Sequence, residues 1–256
     1  MFLALAILLA SGISTWAQDE RHVSSPDGQI HFRIFLIQPA PAEFVRIAYQ
    51  VFFHGKPLLD TSYLGLDIHD QPLLGENVGL VGSKISETRS YSSLLAEYMQ
   101  NGSLGRRVNI EVRVYNDGIA FRYVLPQSGP LMDFLMENEV TEFCLAEDAG
   151  IYASDRKERV PLSHLGDDAR LKLPVLVEQA NVGWLSIGEV PAGKYPPMSL
   201  THSEGKVLLT RLPQHWEPPS VAYHGTTPMT TPWRVVLIGD SREAVMGSKI
   251  PSDLPK

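Results

Sequence analysis

From residue 106 to 126 hydrophobic and polar side chains alternate with a period of two: Val108, Ile110, Val112 and Val114 share one face, and Asn109, Glu111, Arg113 and Tyr115 the other. That period belongs to a half-buried strand, because successive side chains of extended backbone point to opposite faces. Asn116-Asp117-Gly118 then supplies a tight turn, and Ile119, Phe121 and Tyr123 alternate with Ala120, Arg122 and Val124 on the return. The segment predicts an antiparallel hairpin. Similar runs recur along the chain. QIHFRIFLI follows the turn SPDG at 25–28, VRIAYQVFF precedes His54-Gly55, and LGLDI, VTEFCL, LKLPVLVE, VGWLSIGE, KVLLTRL and PWRVVLIG each read as strands. SYSSLLAEYM at 90–99 is the one stretch of helical appearance, but its apolar positions do not hold a helical period, so it is expected to be extended or irregular. Residues 150–171, the most polar stretch, are expected to form a long surface loop. Many strands without intervening helices stack as antiparallel sheets, so the expected fold is all-β: a large two-sheet antiparallel sandwich.

Composition narrows the function classes. The 256 residues carry 22 Lys and Arg against 29 Asp and Glu, a net charge of −7. Nucleic acid is thereby excluded as an expected partner, since phosphate recognition draws on clustered cations. Ahead of Asp19, the first charged side chain, an apolar run MFLALAILLA leads into SGISTWA, with Thr15 and Ala17 placed as small residues before a cleavage point. Such a run is too short to cross a bilayer and has the form of a secretory signal peptide. The expected organisation is a signal peptide at 1–17, a sandwich domain at 18–250 and a C-terminal tail at 251–256, in a secreted or periplasmic protein without a membrane span. Cys144 is the single cysteine, so no internal disulfide staples the fold, and its acidic surroundings, EFCLAED, do not suit a thiol nucleophile.

No phosphate loop, HExxH, GxSxG or CxxC occurs, and the eight histidines are scattered. The acidic pairs Glu147-Asp148 and Asp167-Asp168 lack the spacing of a calcium loop and read as solvated charges. Among the aromatic residues, Trp184 and Trp233 sit within strands and are expected in the core, whereas Trp216 and Tyr223 lie in Pro- and Gly-rich segments. A ring exposed there can stack on the C–H face of a sugar. Arg113 and Arg122 face each other's strand across the hairpin, where they brace carboxylates or pair across the sheet.

Five motifs in order, SPDGQI, SYLGLDI, VRVYNDGIAFRYVLP, WLSIGEVPAGKYPPMSL and TPWRVVLIGD, resemble the N-terminal domain of glycoside hydrolase family 97 from about residue 24 to 240. The resemblance implies a β-super-sandwich similar to galactose mutarotase. It also implies that the catalytic carboxylates belong to a (β/α)₈ barrel, which is expected to begin where this chain stops, at IPSDLPK. The family's I-x-EA glutamate corresponds to Glu189, here followed by Val190 in place of Ala; in the family it helps ligate calcium beside glutamates of the barrel. One glutamate does not supply the six to eight oxygens calcium takes, so calcium is expected only with a partner barrel and no cofactor is expected for the chain alone. Tyr195, Met198 and Leu200 match the downstream motif. The expected carbohydrate-binding residues are Glu189, Tyr195, Trp216 and Tyr223, with an α-linked oligosaccharide as partner and no catalytic residue. Two departures stand out: 86–105 lacks a tryptophan found in the family, and 150–171 replaces an aromatic-rich stretch.

Three readings follow. The first is a non-catalytic carbohydrate-binding or accessory domain of an α-glucosidase or α-galactosidase class hydrolase, serving a separate barrel. The second is a mutarotase-like aldose epimerase with a His and a carboxylate as acid and base. The third is an interaction scaffold using the former barrel-facing surface.

Overall fold

The structure is a computed structural model that describes residues 18–102, 105–127, 129–155, 158–167, 169–214 and 220–255. The segment 1–17, read as a signal peptide, and Trp216 lie outside the described residues. Within them the chain is an all-β sandwich of antiparallel sheets. The largest sheet runs in the order β13 (Val160–Pro161), β12 (Gly150–Ala153), β15 (Val175–Gln179), β16 (Gly183–Val190), β21 (Trp233–Gly239), β9 (Gly118–Leu125), β8 (Arg107–Tyr115), β7 (Tyr91–Gln100), β6 (Val78–Glu87), with β20 (Met229–Thr230) also paired to β9. Opposite it lie the meander β1 (Gln18–Ser24), β2 (Ile30–Ile37), β3 (Arg46–Phe53), β4 (Lys56–Tyr63) and the sheet β11 (Glu142–Cys144), β18 (Val207–Arg211), β17 (Ser199–His202), β14 (Arg170–Leu171). A short sheet of β19 (Tyr223–Thr226), β10 (Asp133–Glu139) and β5 (Leu66–Ile68) completes the architecture.

The predicted hairpin is β8 and β9, with Tyr115 opposite Gly118 and Val112 opposite Phe121. Gly118 holds φ at +154°, and a Cβ there would stand 2.5 Å from the Val236 carbonyl oxygen, so the turn and the neighbouring strand both require glycine. Ile110, Val112, Phe121 and Tyr123 point inward against Phe32, Ile34, Tyr49 and Val51 of the facing meander, all fully buried. An aromatic row crosses the layers: Phe32 to Tyr49 at 5.5 Å, Tyr49 to Phe121 at 5.3 Å and Phe121 to Phe143 at 6.2 Å between ring centroids. The segment at 90–99 falls almost wholly within strand β7, whose burial alternates along most of its length.

Residues 150–171 depart from the surface loop expected of them. They contribute β12, β13 and β14 and bury Ile151, Ala153, Leu162, Leu165 and Leu171. These strands are two to four residues long, too short to establish a visible period among their polar neighbours. The other difference is helical. Ser241 caps α1 (Arg242–Met246) by accepting the Ala244 N–H at 3.2 Å, and α2 (Ile250–Asp253) follows. Together with Trp233, Val190 and Tyr115, Ile250 and Leu254 form a second apolar cluster on the outer face of the large sheet. The segment read as a tail is thus packed against the sandwich.

Candidate functional site

Glu189 and Arg234 stand directly opposite each other on β16 and β21, near the ends of those strands. Their alternation turns both side chains to the inner face, as it does for Ile187 and Val236. There they meet Glu139, the last residue of β10. Arg234 donates from Nε to Glu139 Oε1 at 2.8 Å, from Nη2 to Oε2 at 2.5 Å, and from Nη1 to Glu189 Oε2 at 2.6 Å. Glu139 and Arg234 are wholly inaccessible, while the Glu189 side chain keeps 11% of its surface. A charge in such a place is costly unless paired and hydrogen-bonded, and here all three guanidinium nitrogens donate to carboxylates.

Further hydroxyls fill the coordination of Glu139. Thr141 donates to Oε1 at 2.8 Å and Tyr195 to Oε2 at 3.0 Å. Tyr123 in turn shares a hydrogen bond of 2.7 Å with Thr141 and accepts the Gly65 N–H at 3.0 Å. Glu189 receives one more donor, the Met198 N–H, at 3.2 and 3.3 Å from its two oxygens. Burial pushes the Glu189 carboxyl up, against the opposing pull of Arg234 and the Met198 amide. For Arg234, burial works most strongly to lower the value, but Glu139, Tyr195 and Glu189 together outweigh it and hold the guanidinium above its ordinary range. Tyr195 is raised well above the usual phenol by burial and by the charge of Glu139.

Three of the four site residues singled out in the sequence therefore come together. Glu189, Arg234, Glu139 and Tyr195 form a continuous chain, and the Tyr195 ring lies 5.0 Å from that of Tyr223. Tyr195 is buried with its hydroxyl committed to Glu139, and Tyr223, half-buried, belongs to strand β19, where it pairs with Met136. Glu139 escaped the sequence reading altogether. Arg234 carried a usable signal: a lone arginine inside the apolar run WRVVLIG predicts a buried charge, and a buried charge predicts a carboxylate partner.

Elsewhere, Arg122 makes two contacts of 2.8 Å with Glu111 Oε2, and both Arg122 and Arg113 lie over the Trp233 ring at 4.3 and 5.0 Å. Arg122 thus pairs across the hairpin with Glu111, and Arg113, on the same strand as Glu111, stands 3.7 Å from that carboxylate. Trp233 is buried as expected, whereas Trp184 is only half-buried, with its ring 5.8 Å from that of Tyr152. On the outer face of β16 and β21 an apolar pocket of about 530 Å³ is bounded by Leu173, Pro174, Val235, Leu237, Met246 and Pro251. Among the described residues no group of three His, Cys, Asp or Glu side chains is placed to share a metal ion, and no helix is long and apolar enough to cross a membrane. Glu189, a single carboxylate, supplies too few of the six to eight oxygens that a calcium ion takes.

A variant of a family 97 enzyme from Pseudoalteromonas sp. strain K8 superposes with a TM-score of 0.79 and 19% identity over 92% of this chain and 38% of that one. The enzyme from that strain solved in complex with acarbose gives 0.79 and 18% over the same shares, and a β-arabinopyranosidase gives 0.78 and 22% over 93% and 43%. A retaining α-galactosidase of Bacteroides thetaiotaomicron is 25% identical over 250 residues, covering 82% of this chain and 34% of that protein. The profile described as Glycosyl-hydrolase 97 N-terminal matches residues 23–256, and the chain belongs to that family. It spans about a third of the length of the α-galactosidase it matches.

Proposed function

We propose that this chain is the non-catalytic, carbohydrate-binding accessory domain of an α-glucosidase or α-galactosidase class hydrolase, presenting Glu189 to an active-site cleft that a (β/α)₈ barrel completes. One observation carries the reading: of three buried charges at the end of the sandwich, only Glu189 reaches the surface, and two carboxylates against one guanidinium leave it a net negative charge to offer. A calcium ion, or the hydroxyls of an α-linked oligosaccharide, is the chemistry that such a carboxylate recognises when further oxygens surround it. The half-buried ring of Tyr223 nearby supplies an apolar face. Relatives solved with acarbose and panose support an oligosaccharide as the partner. The apolar leader at 1–17 supports export to the periplasm or outside the cell.

The epimerase reading has less support. The described histidines that meet carboxylates do so directly, His69 with Glu137 at 2.5 Å, His224 with Asp133 at 2.8 Å, His54 with Asp240 at 3.1 Å and His22 with Glu20 at 3.3 Å, which leaves no room for a sugar ring between acid and base. Isothermal titration of the purified chain with maltose, panose and galactose, with calcium and with a chelator, tests the proposal. Saturable binding of an α-linked sugar, the same with calcium and with the chelator, is the expected result, because one glutamate does not hold calcium without a partner barrel. Heat of dilution alone with every sugar overturns the carbohydrate-binding role.

A further inference from the structure

Strand β6 closes one end of the large sheet: it pairs with β7 and, among the described residues, with no strand on its other side. Every second residue therefore turns its N–H and C=O away from the sheet, towards no strand that could receive them. Ser83, Lys84, Ile85, Ser86 and Glu87 are all exposed, and Ile85 keeps 48% of its surface although it stands opposite the core residue Leu94. Bare edges are commonly blunted by a bulge or a lysine, and β6 has both, a register shift between Leu80 and Gly82 and the side chain of Lys84. Here they restrict pairing rather than prevent it. The bulge confines a regular ladder to the residues that follow it, and the charges select the register within that span.

A second copy of the chain meets β6 antiparallel about a two-fold axis normal to the sheet, so that one residue lies opposite itself. Centring on Lys84 or on Glu87 sets like charges directly against each other, which is destabilising. Centring on Ser86 sets Ile85 against the partner's Glu87, and centring on Ser83 runs the ladder into the bulge. Centred on Ile85, the pairing brings the two exposed isoleucines together, with Lys84 against the partner's Ser86 and Ser83 against the partner's Glu87. Ser83 accepts a hydrogen bond from Arg21 Nε of β1 at 2.9 Å, and neither Arg21 nor Glu87 has an ion-pair partner among the described residues. This register delivers each Glu87 carboxylate to the opposite Arg21, twice by symmetry.

We propose that the β6 edge is a self-pairing surface, on which two copies of this chain join into one continuous sheet with Ile85 at the axis and an Arg21–Glu87 ion pair on either side of it. A second copy fits better than a foreign strand because both members of the ion pair are already on this chain, at the offset that the two-fold requires. The proposal is independent of the carbohydrate reading, since four strands stand between β6 and the strand of Glu189. A contact of about five residues from each copy is small, so the association is weak and reversible.

Sedimentation equilibrium of the purified chain over a wide range of concentration tests it, with circular dichroism confirming that each variant is folded. The mass should rise from one chain to two and stop there, because a two-fold contact closes on itself, and hydrogen exchange at 82–88 should slow as the dimer forms. Ile85→Lys sets two ammonium groups at the axis and should hold the chain monomeric. Arg21→Glu should weaken association by about tenfold or more, and Arg21→Glu combined with Glu87→Arg should restore most of it. A chain that stays monomeric at every concentration overturns the proposal and leaves the edge to a strand of another protein. A dimer indifferent to Ile85→Lys, or a charge exchange that restores nothing, overturns it as well. Should Ile85→Lys not fold, the charge exchange decides alone.

Discussion

Trp233 opens β21 with 1% of its surface exposed, and on it converge the two hairpin arginines and the C-terminal helix α2, while its Nε1 donates to the Pro255 carbonyl at 3.2 Å. Replacing it with alanine removes most of a buried indole. An aromatic side chain of this size buries roughly 150–250 Å², which at about 25 cal/mol/Å² is on the order of 4–6 kcal/mol before the compactness of the unfolded chain is considered. Core truncations of tryptophan cost about 3–5 kcal/mol, and ~4 is expected for Trp233→Ala. Trp233→Phe keeps a ring between the arginines but loses the indole hydrogen bond and some volume, and should cost about 1–2 kcal/mol. Urea denaturation followed by circular dichroism measures both; in a domain of this size about 4 kcal/mol lowers Tm by roughly 8–16 °C. Hydrogen exchange locates the effect. Peptides from 242–255 should lose protection in the alanine variant under native conditions, while the hairpin at 106–126 keeps it. A loss of less than about 1 kcal/mol, or unchanged protection at 242–255, refutes the view that this indole anchors the C-terminal segment.

Other consequences are as direct. His69 is held above its ordinary value of 6.5 by its hydrogen bond to Glu137, and Glu137 below 4.5 by His69 and Ser220. Their mutual stabilisation is therefore full between pH 4.5 and 6.5, falling as pH rises through the folded value of His69 and as it drops through that of Glu137. In Glu137→Gln the NMR titration of His69 should move back towards 6.5; an unchanged midpoint contradicts the pairing. Tyr123→Phe strands the Gly65 N–H and one contact of Thr141, and should cost about 1–3 kcal/mol in denaturant titration, with a neutral effect counting against the buried relay. Gly118→Ala meets both a positive φ and the Val236 carbonyl, and should destabilise by more than about 1 kcal/mol in the same assay. Burial pushes the Cys144 thiol up, so its reaction with a thiol reagent near neutral pH should be slow in the native chain and rapid after unfolding; equal rates would contradict its burial.

The hairpin, strands β2 and β3 of the facing meander and strands such as β16 and β21 were legible as short apolar or alternating runs bounded by turn residues, whereas β1 and β6, rich in polar and exposed positions, were not. Residues 150–171 were not, because strands of two to four residues cannot display a period and their buried residues are spaced among solvated ones. Strand β10 was missed for a different reason. In DFLMENE the buried positions of its latter part include Asn138 and Glu139, polar residues that pattern reading assigns to the surface. Their burial depends on partners distant in the chain, Thr210 for Asn138 and Arg234 for Glu139. That is also why Glu189 could be picked out by its motif while the residue that balances its arginine could not. Tyr195 is a related case: its motif position pointed to the site, but only the fold shows its hydroxyl turned inward to Glu139.

The same three charges join separate layers: Glu139 comes from the short sheet, Arg234 and Glu189 from the large one. Apolar faces slide past each other with gradual loss, but an ion triad tolerates no such gradation. A shift of one residue along a strand, about 3.3 Å, would carry one of these groups past its partner and leave it unpaired in a dry interior, at a cost of about 3–5 kcal/mol. The triad therefore acts as a locating pin between sheets. It gives the sandwich a single alignment at the end where Glu189 meets solvent, and any surface assembled against that end inherits its geometry.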